Sequence, residues 1–185
     1  MRNWQSRKPP TPADKVWSQS TLAWVWCRMG EPHRGVEVLA RLASTHRAAG
    51  HLWPELLFAL YLGEGYWQAR EYTKATQTLQ KLLPVAERCG MQFAIGSAHR
   101  LLAEVALHTT PAQAAPHFEQ SIATLRAIHA ENELALAYAG YGRWHAQQGD
   151  TAQAREYLIR ALEIFERLGT LGEPDKVRQA LAALP

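Results

Sequence analysis

A small residue returns every 39 or 40 positions along this chain. Gly35, Ala75, Ala114 and Ala154 are separated by steps of 40, 39 and 40. A second marker, the residue that ends each unit, recurs at Gly50, Gly90, Ala130 and Gly169, with steps of 40, 40 and 39. Two markers sharing one period define an internal repeat. A repeat of this length is one supersecondary unit that cannot bury its apolar face alone, so its copies must stack.

The fourth copy, residues 130–169, shows what the unit is. Ala154, Tyr157, Leu158, Ala161, Leu162, Phe165 and Leu168 fall at helical spacing, with Arg155, Glu156, Arg160, Glu163, Glu166 and Arg167 on the opposite side. Asp150 is a natural N-cap with Gln153 three residues on, where a capping box places it. Gly169 suits the left-handed residue that closes a helix. A first helix precedes it, from about Asn132 to Gln148, mixing bulky Tyr138, Tyr141, Trp144 and His145 with small Ala139, Gly140 and Gly142. Glycine inside a helix costs about 1 kcal/mol relative to alanine, so these glycines predict close approach by a neighbouring helix.

Copies of this hairpin are predicted over about 12–50, 51–90, 91–130 and 131–169, followed by a capping helix at 173–184. In the first, Gly35, Leu39 and Leu42 take second-helix positions. In the second they are Ala75, Leu79 and Leu82, with Pro84 expected to bend the helix. In the third, Thr110, Pro111 and Gln113 read as a helix start, and the turn is one residue shorter. Residues 1–10 read as a disordered tail, leaving 11–185 as one domain.

Tyr138, Tyr141, Gly142, His145, Gly149, Asp150, Ala154, Leu158 and Ala161 resemble the tetratricopeptide repeat. They match its large–large–small–large first helix, Gly-Asp turn and Ala–large–Ala second helix. His145 stands where Tyr is usual, and Leu158 where an aromatic is usual. The segment AYAGYGRWHAQQGDTAQAREYLIRALEIFERLGTLGEPDKVR is similar to the C-terminal repeat tails of large bacterial signalling proteins, which also carry a nucleotide cyclase or helix-turn-helix module and a STAND-type ATPase. The resemblance implies an all-α, right-handed superhelical solenoid of four hairpins plus a cap. It also implies a cytoplasmic sensor or interaction array. No G-x-x-x-x-G-K-[ST] loop occurs in this chain.

Composition agrees with an all-α reading, because Ala, Leu, Gln, Glu and Arg are abundant and β-branched residues are few. No apolar run approaches the ~20 residues of a membrane span. Cys27 and Cys89 have no metal-type spacing and read as free thiols. The net charge of +3 is uneven: residues 1–50 hold 8 Lys/Arg against 3 Asp/Glu. Without a basic run, nucleic acid is not the expected partner. Gly63-Glu64-Gly65 lacks the strand and third glycine of a dinucleotide loop. The histidine pairs His46/His51 and His108/His117 lack ligand spacing, so no metal and no cofactor is expected. No catalytic arrangement is legible.

Register places Trp24, Arg28, Glu64, Trp67, Arg100, Glu104, Arg143 and Gln147 on the concave groove lined by first helices. Arg28, Arg100 and Arg143 are expected to capture a carboxylate of a protein or peptide partner. Six of seven tryptophans lie in the first 67 residues. Trp17, Trp24, Trp26 and Trp53 cannot all hide in one terminal hairpin, which points to contact with an upstream repeat or to a homodimer. A small-molecule-sensing array is the remaining alternative.

Overall fold

The computed structural model describes residues 11–185, so the expected tail at 1–10, with Trp4, lies outside the described residues. Among the described residues there are nine α-helices and no strand. They are α1 (Pro12–Arg28), α2 (Pro32–Ala48), α3 (Leu52–Gln68), α4 (Tyr72–Arg88), α5 (Gln92–Thr109), α6 (Ala114–Ala127), α7 (Glu131–Gln147), α8 (Thr151–Leu168) and α9 (Glu173–Ala182). Each odd-numbered helix from α1 to α7 pairs with the next to form a hairpin. The first helices also pack on one another, α1 on α3, α3 on α5 and α5 on α7. That makes an all-α solenoid with α9 packed on α8 at its end.

The repeated small residue is where the two helices of a hairpin come closest. Gly35, Ala75 and Ala154 are each the fourth residue of their helix, and Ala114 is the fourth counted from a single 3-10 turn at Pro111–Gln113. All four are buried. A Cβ added at Gly35 would sit 2.3 Å from the Ala23 carbonyl oxygen and 2.3 Å from Cys27 Sγ. At Gly142 it would sit 2.8 Å from Leu158 Cγ and 3.1 Å from the Ala154 carbonyl oxygen. The glycines of the first helices therefore mark close helix approach.

The unit ends differ from expectation at one place. The left-handed residues that close the hairpins are Gly50, Gly90, His129 and Gly169, with φ of 69°, 65°, 55° and 66°. Their steps are 40, 39 and 40, the same as those of the buried small residues. Ala130, expected as the third terminator, is instead the N-cap of α7 with φ −80°. His129 N–H donates to the Arg126 carbonyl at 3.1 Å and Ala130 N–H to the Leu125 carbonyl at 3.0 Å, so the helix closes one residue earlier.

Caps are also instructive. Thr11 and Asp14 form a reciprocal capping box at the start of α1. At α8 only half of one exists: Asp150 accepts from Gln153 N–H at 3.1 Å, while the Gln153 side chain turns to Glu156. Thr110 makes no cap hydrogen bond, and the 3-10 turn stands in for the first turn of α6. Gly169 closes α8 with Thr170 N–H on the Phe165 carbonyl at 2.9 Å. Helix α4 continues through Pro84.

The core is thicker toward the C-terminus. One cluster, running from Ala103 to Val177 and centred on Phe118, Leu158 and Phe165, gathers 17 buried residues. The two clusters at the α1–α3 end hold 4 and 3. The N-terminal hairpin therefore lacks the volume to enclose all of its aromatic side chains.

Gly35→Ala separates propensity from packing. Alanine is the better helix former by about 1 kcal/mol, but the new Cβ meets backbone that cannot swing aside, and overpacking costs roughly 1–3 kcal/mol. The variant is expected to be net destabilised, by about 1–2 kcal/mol at the upper end of that range. Urea unfolding followed by circular dichroism measures this, and an unchanged midpoint would show that the hairpin can open without cost.

Candidate functional site: the inner channel

Helical spacing organises the inner face into stripes. On α3 the stripe is Trp53, Leu57, Leu60, Glu64 and Trp67. On α5 it is Phe93, Ser97, Arg100 and Glu104, and on α1 it is Trp17, Trp24 and Arg28. Each stripe begins apolar and carries its charge in its later half. Stacking first helix on first helix joins these stripes into a channel wall with one apolar margin and one ionic half.

The ionic half is a chain of contacts between successive repeats. Trp24 Nε1 donates to Glu64 Oε2 at 2.7 Å, and the Arg28 guanidinium lies 5.0 Å from the Trp24 ring centre. Arg28 Nη1 is 3.9 Å from Glu64 Oε1, and its Nη2 donates to Glu173 Oε1 at 3.2 Å. That last contact joins the first helix to the last across 145 residues. Arg100 Nε donates to Glu133 Oε2 at 2.9 Å, and Arg143 Nη2 to Glu104 Oε1 at 2.6 Å. Glu64, Arg100 and Glu104 are buried, at 7%, 3% and 4% exposure. Burial alone would push the Arg100 pKa down, but Glu133, Glu64 and Glu104 outweigh it and hold the guanidinium charged.

Gly140 on α7 completes this arrangement. A Cβ there would stand 2.6 Å from Glu104 Oε1 and 2.6 Å from Phe118 Cε1. The missing side chain makes the space in which Glu104 reaches Arg143.

The eight groove residues expected from sequence therefore sit as follows. Trp24, Arg28 and Glu64 form one cluster, and Glu104 and Arg143 form a pair. Arg100 is spent on Glu133 and buried, so it has no edge to offer a ligand. Trp67 packs half-buried against the core cluster of Leu79, Leu82 and Leu101. Gln147 is exposed at the end of α7. Sequence reasoning missed Glu133 and Glu173, and marked Gly140 only as a point of close helix approach. The first two answer arginines from other repeats, and pairing across 33 and 145 positions leaves no local signal.

Arg28 and Glu173 border a cleft of about 450 Å³ between α1 and the start of α9. Trp24, Asn132, Thr170 and Lys176 also line it. Lys176 Nζ lies 2.9 Å from Glu173 Oε1, so Glu173 sits between two cations.

The four tryptophans expected to cluster divide into two pairs. Trp17 and Trp53 pack with ring centres 5.5 Å apart and planes tilted by 57°, and both are exposed. Trp24 is engaged by Glu64, and Trp26 carries the Arg34 guanidinium 3.8 Å from its ring centre. Phe93 joins the exposed pair, and one signal was available for it: it stands 40 residues after Trp53.

Among the described residues no group of three or more His, Cys, Asp or Glu side chains converges as a metal site would require. His99 and His117 do meet, with Nδ1 atoms 2.9 Å apart. Burial and the neighbouring His117 push the His99 pKa down to about 4, and burial lowers that of His117. Burial and the nearby Glu64 carboxylate push the Cys27 thiol up to about 11, so it stays protonated near neutrality.

Two stability predictions follow from this geometry. Removing one member of a buried ion pair costs about 3–5 kcal/mol, because the other charge is stranded. Glu133 keeps some contact with solvent, so Arg100→Met is expected to cost about 2–3 kcal/mol, with part of it returned in Arg100→Met/Glu133→Gln. If the double variant is no more stable than the single one in urea, the stranded charge is not the cause. For His99 the folded pKa lies below the unfolded value of 6.5. Its contribution is full above pH 6.5 and is lost as the pH falls toward about 4. The stability gap between wild type and His99→Gln should therefore shift across that window and stay constant above it.

Comparison with known proteins places this architecture. Residues 94–167, which span α5 to α8 except for the first two residues of α5 and the last of α8, match the family model described as tetratricopeptide repeat. No curated protein matches the chain in sequence. Among solved structures, aspartyl phosphate phosphatase F from Bacillus subtilis superposes on 95% of this chain with a TM-score of 0.72 at 14% identity. The chain spans 50% of that protein's length. BtubC from P. vanneervenii matches 94% of this chain and 83% of its own, with a TM-score of 0.62 at 16% identity. A putative kinesin light chain from Podosopora anserina with nearly identical TPR-like repeats matches 92% of this chain and 94% of its own, with a TM-score of 0.56 at 16% identity. At these identities the likeness is one of fold. The third and fourth hairpins are recognised by sequence as tetratricopeptide repeats, and the first two hairpins repeat their helical geometry.

Proposed function

We propose that this chain is a non-catalytic scaffold whose inner channel binds a segment of a protein partner. We place it as the cytoplasmic sensing or interaction module of a bacterial signalling or regulatory protein. Tetratricopeptide repeats serve as protein-interaction scaffolds, because a stack of rigid hairpins presents a long concave surface at fixed spacing. The resemblance of residues 115–180 to bacterial signalling tails supports the second part. No helix is long and apolar enough to cross a membrane, among the described residues.

The observation that carries the reading is the cleft of about 450 Å³ at the ionic half of the channel. Arg28 and Lys176 are held there by a carboxylate of the same chain, and Arg143 is similarly paired yet 43% exposed. Side chains like these, part-exposed beside a carboxylate of their own chain, can share their remaining donors with a carboxylate on an incoming segment. Arg100, buried and occupied, serves the wall and not the ligand.

Peptides selected from a displayed library on the whole chain provide the test. Arg143→Glu and Lys176→Glu are each expected to weaken the selected peptides at least tenfold, and binding should fall as salt rises. Arg41→Glu, exposed on α2, should leave it unchanged. Peptides that bind equally well to all three variants would mean that the channel is not the binding surface.

A further inference from the structure

The apolar margin of the channel is not used by this reading. It lies at the starts of α1, α3 and α5, where Trp53 is 55%, Phe93 46%, Leu52 42% and Trp17 37% exposed. Trp53 borders one hollow, and a second lies beside its neighbours Trp17 and Pro54. One hollow, of about 320 Å³, lies between Trp53 and Phe93 over Leu57, Leu60 and Met91. The other, of about 360 Å³, is bounded by Val16, Trp17, His46, His51 and Pro54. Trp17 packs 5.5 Å from both Trp53 and Phe58, so this ledge is anchored to the core and does not flap.

We infer that this aromatic ledge is the contact between two copies of the chain, related by a twofold axis. A twofold contact uses the same patch on both copies, so that patch must hold both the projecting group and its socket. Here exposed Trp53 borders a hollow large enough to receive an indole, and exposed Trp17 borders a second. Such a patch must also carry both signs of charge at its rim, or the two copies repel. Asp14 and Lys15 are exposed on α1 next to Trp17, and the Arg47–Glu55 pair, Nε to Oε1 2.6 Å, flanks Trp53.

The size is sufficient for reversible association. Aromatic side chains offer about 150–250 Å² each, and the observed exposures leave on the order of 350 Å² of apolar surface per copy. With about 60% of an interface apolar, two copies would bury roughly 1,200 Å² in total, the lower end of stable contacts. Trp24 and Trp26 take no part, because Glu64 and Arg34 already occupy them.

Sedimentation of the whole chain over about 1–200 µM tests the inference, a range suited to an interface of that modest size. The mass should climb from 20.8 kDa toward twice that value. Because the contact is apolar, added salt should not dissociate it, unlike peptide binding in the channel. Trp53→Ser/Phe93→Ser, and Phe93→Glu alone, should remain near 20.8 kDa with unchanged helical circular dichroism. Ile159→Ser, exposed on α8, should still dimerise. A monomer at every concentration overturns the inference, and so does self-association that survives the ledge variants. A peptide segment found to occupy the ledge of an otherwise monomeric chain overturns it too. None of these outcomes bears on the Arg143 and Lys176 variants, so the channel reading stands or falls separately.

Discussion

The close approach of two helices at one small residue sets the geometry from which the rest follows. At Gly35 the facing backbone comes so near that even a methyl group would collide with it. Ala75, Ala114 and Ala154 are fully buried at the equivalent points. Large residues such as Leu39, Leu79 and Leu158 can then fill the space one turn further along. Because the pinch recurs at a constant interval, each hairpin meets the next in nearly the same orientation, and the first helices line up to form a continuous inner wall.

That wall is ionic where a wall of leucines would be simpler. Burying Glu64, Arg100 and Glu104 removes them from water, and only close partners offset the cost. Each partner comes from a different repeat, so the network couples hairpins to one another from within the wall. It also fixes their register, since a shift of one helical turn would strand a charge. The Arg28–Glu173 contact extends the same logic from the first helix to the last.

The two ends of the solenoid differ in kind. Val177 and Leu181 on the apolar side of α9, with Leu184 just beyond it, cover the last hairpin. The first hairpin, with far smaller buried clusters, and the starts of α3 and α5 beside it leave aromatic side chains in view. Aromatic residues gain more from burial than most others, so their concentration where burial is incomplete is what distinguishes this end.

The sequence by itself determined the hairpins, their number and their period, because helical spacing, caps and small residues act over a few positions and leave a readable local pattern. It also named residues that share one stripe of each first helix, since a stripe follows from counting. Tertiary structure alone decided what those residues do. Arg100 proved buried against Glu133, Trp24 and Trp26 were taken up by Glu64 and Arg34 while Trp17 and Trp53 stayed exposed, and Glu173 reached Arg28 from the far end of the chain. Even the third terminator, His129 in place of Ala130, depended on how one hairpin closed. The physical reason is the same throughout: pairing of charges and burial of rings depend on distances between helices far apart in the chain, and those are set by how the hairpins stack.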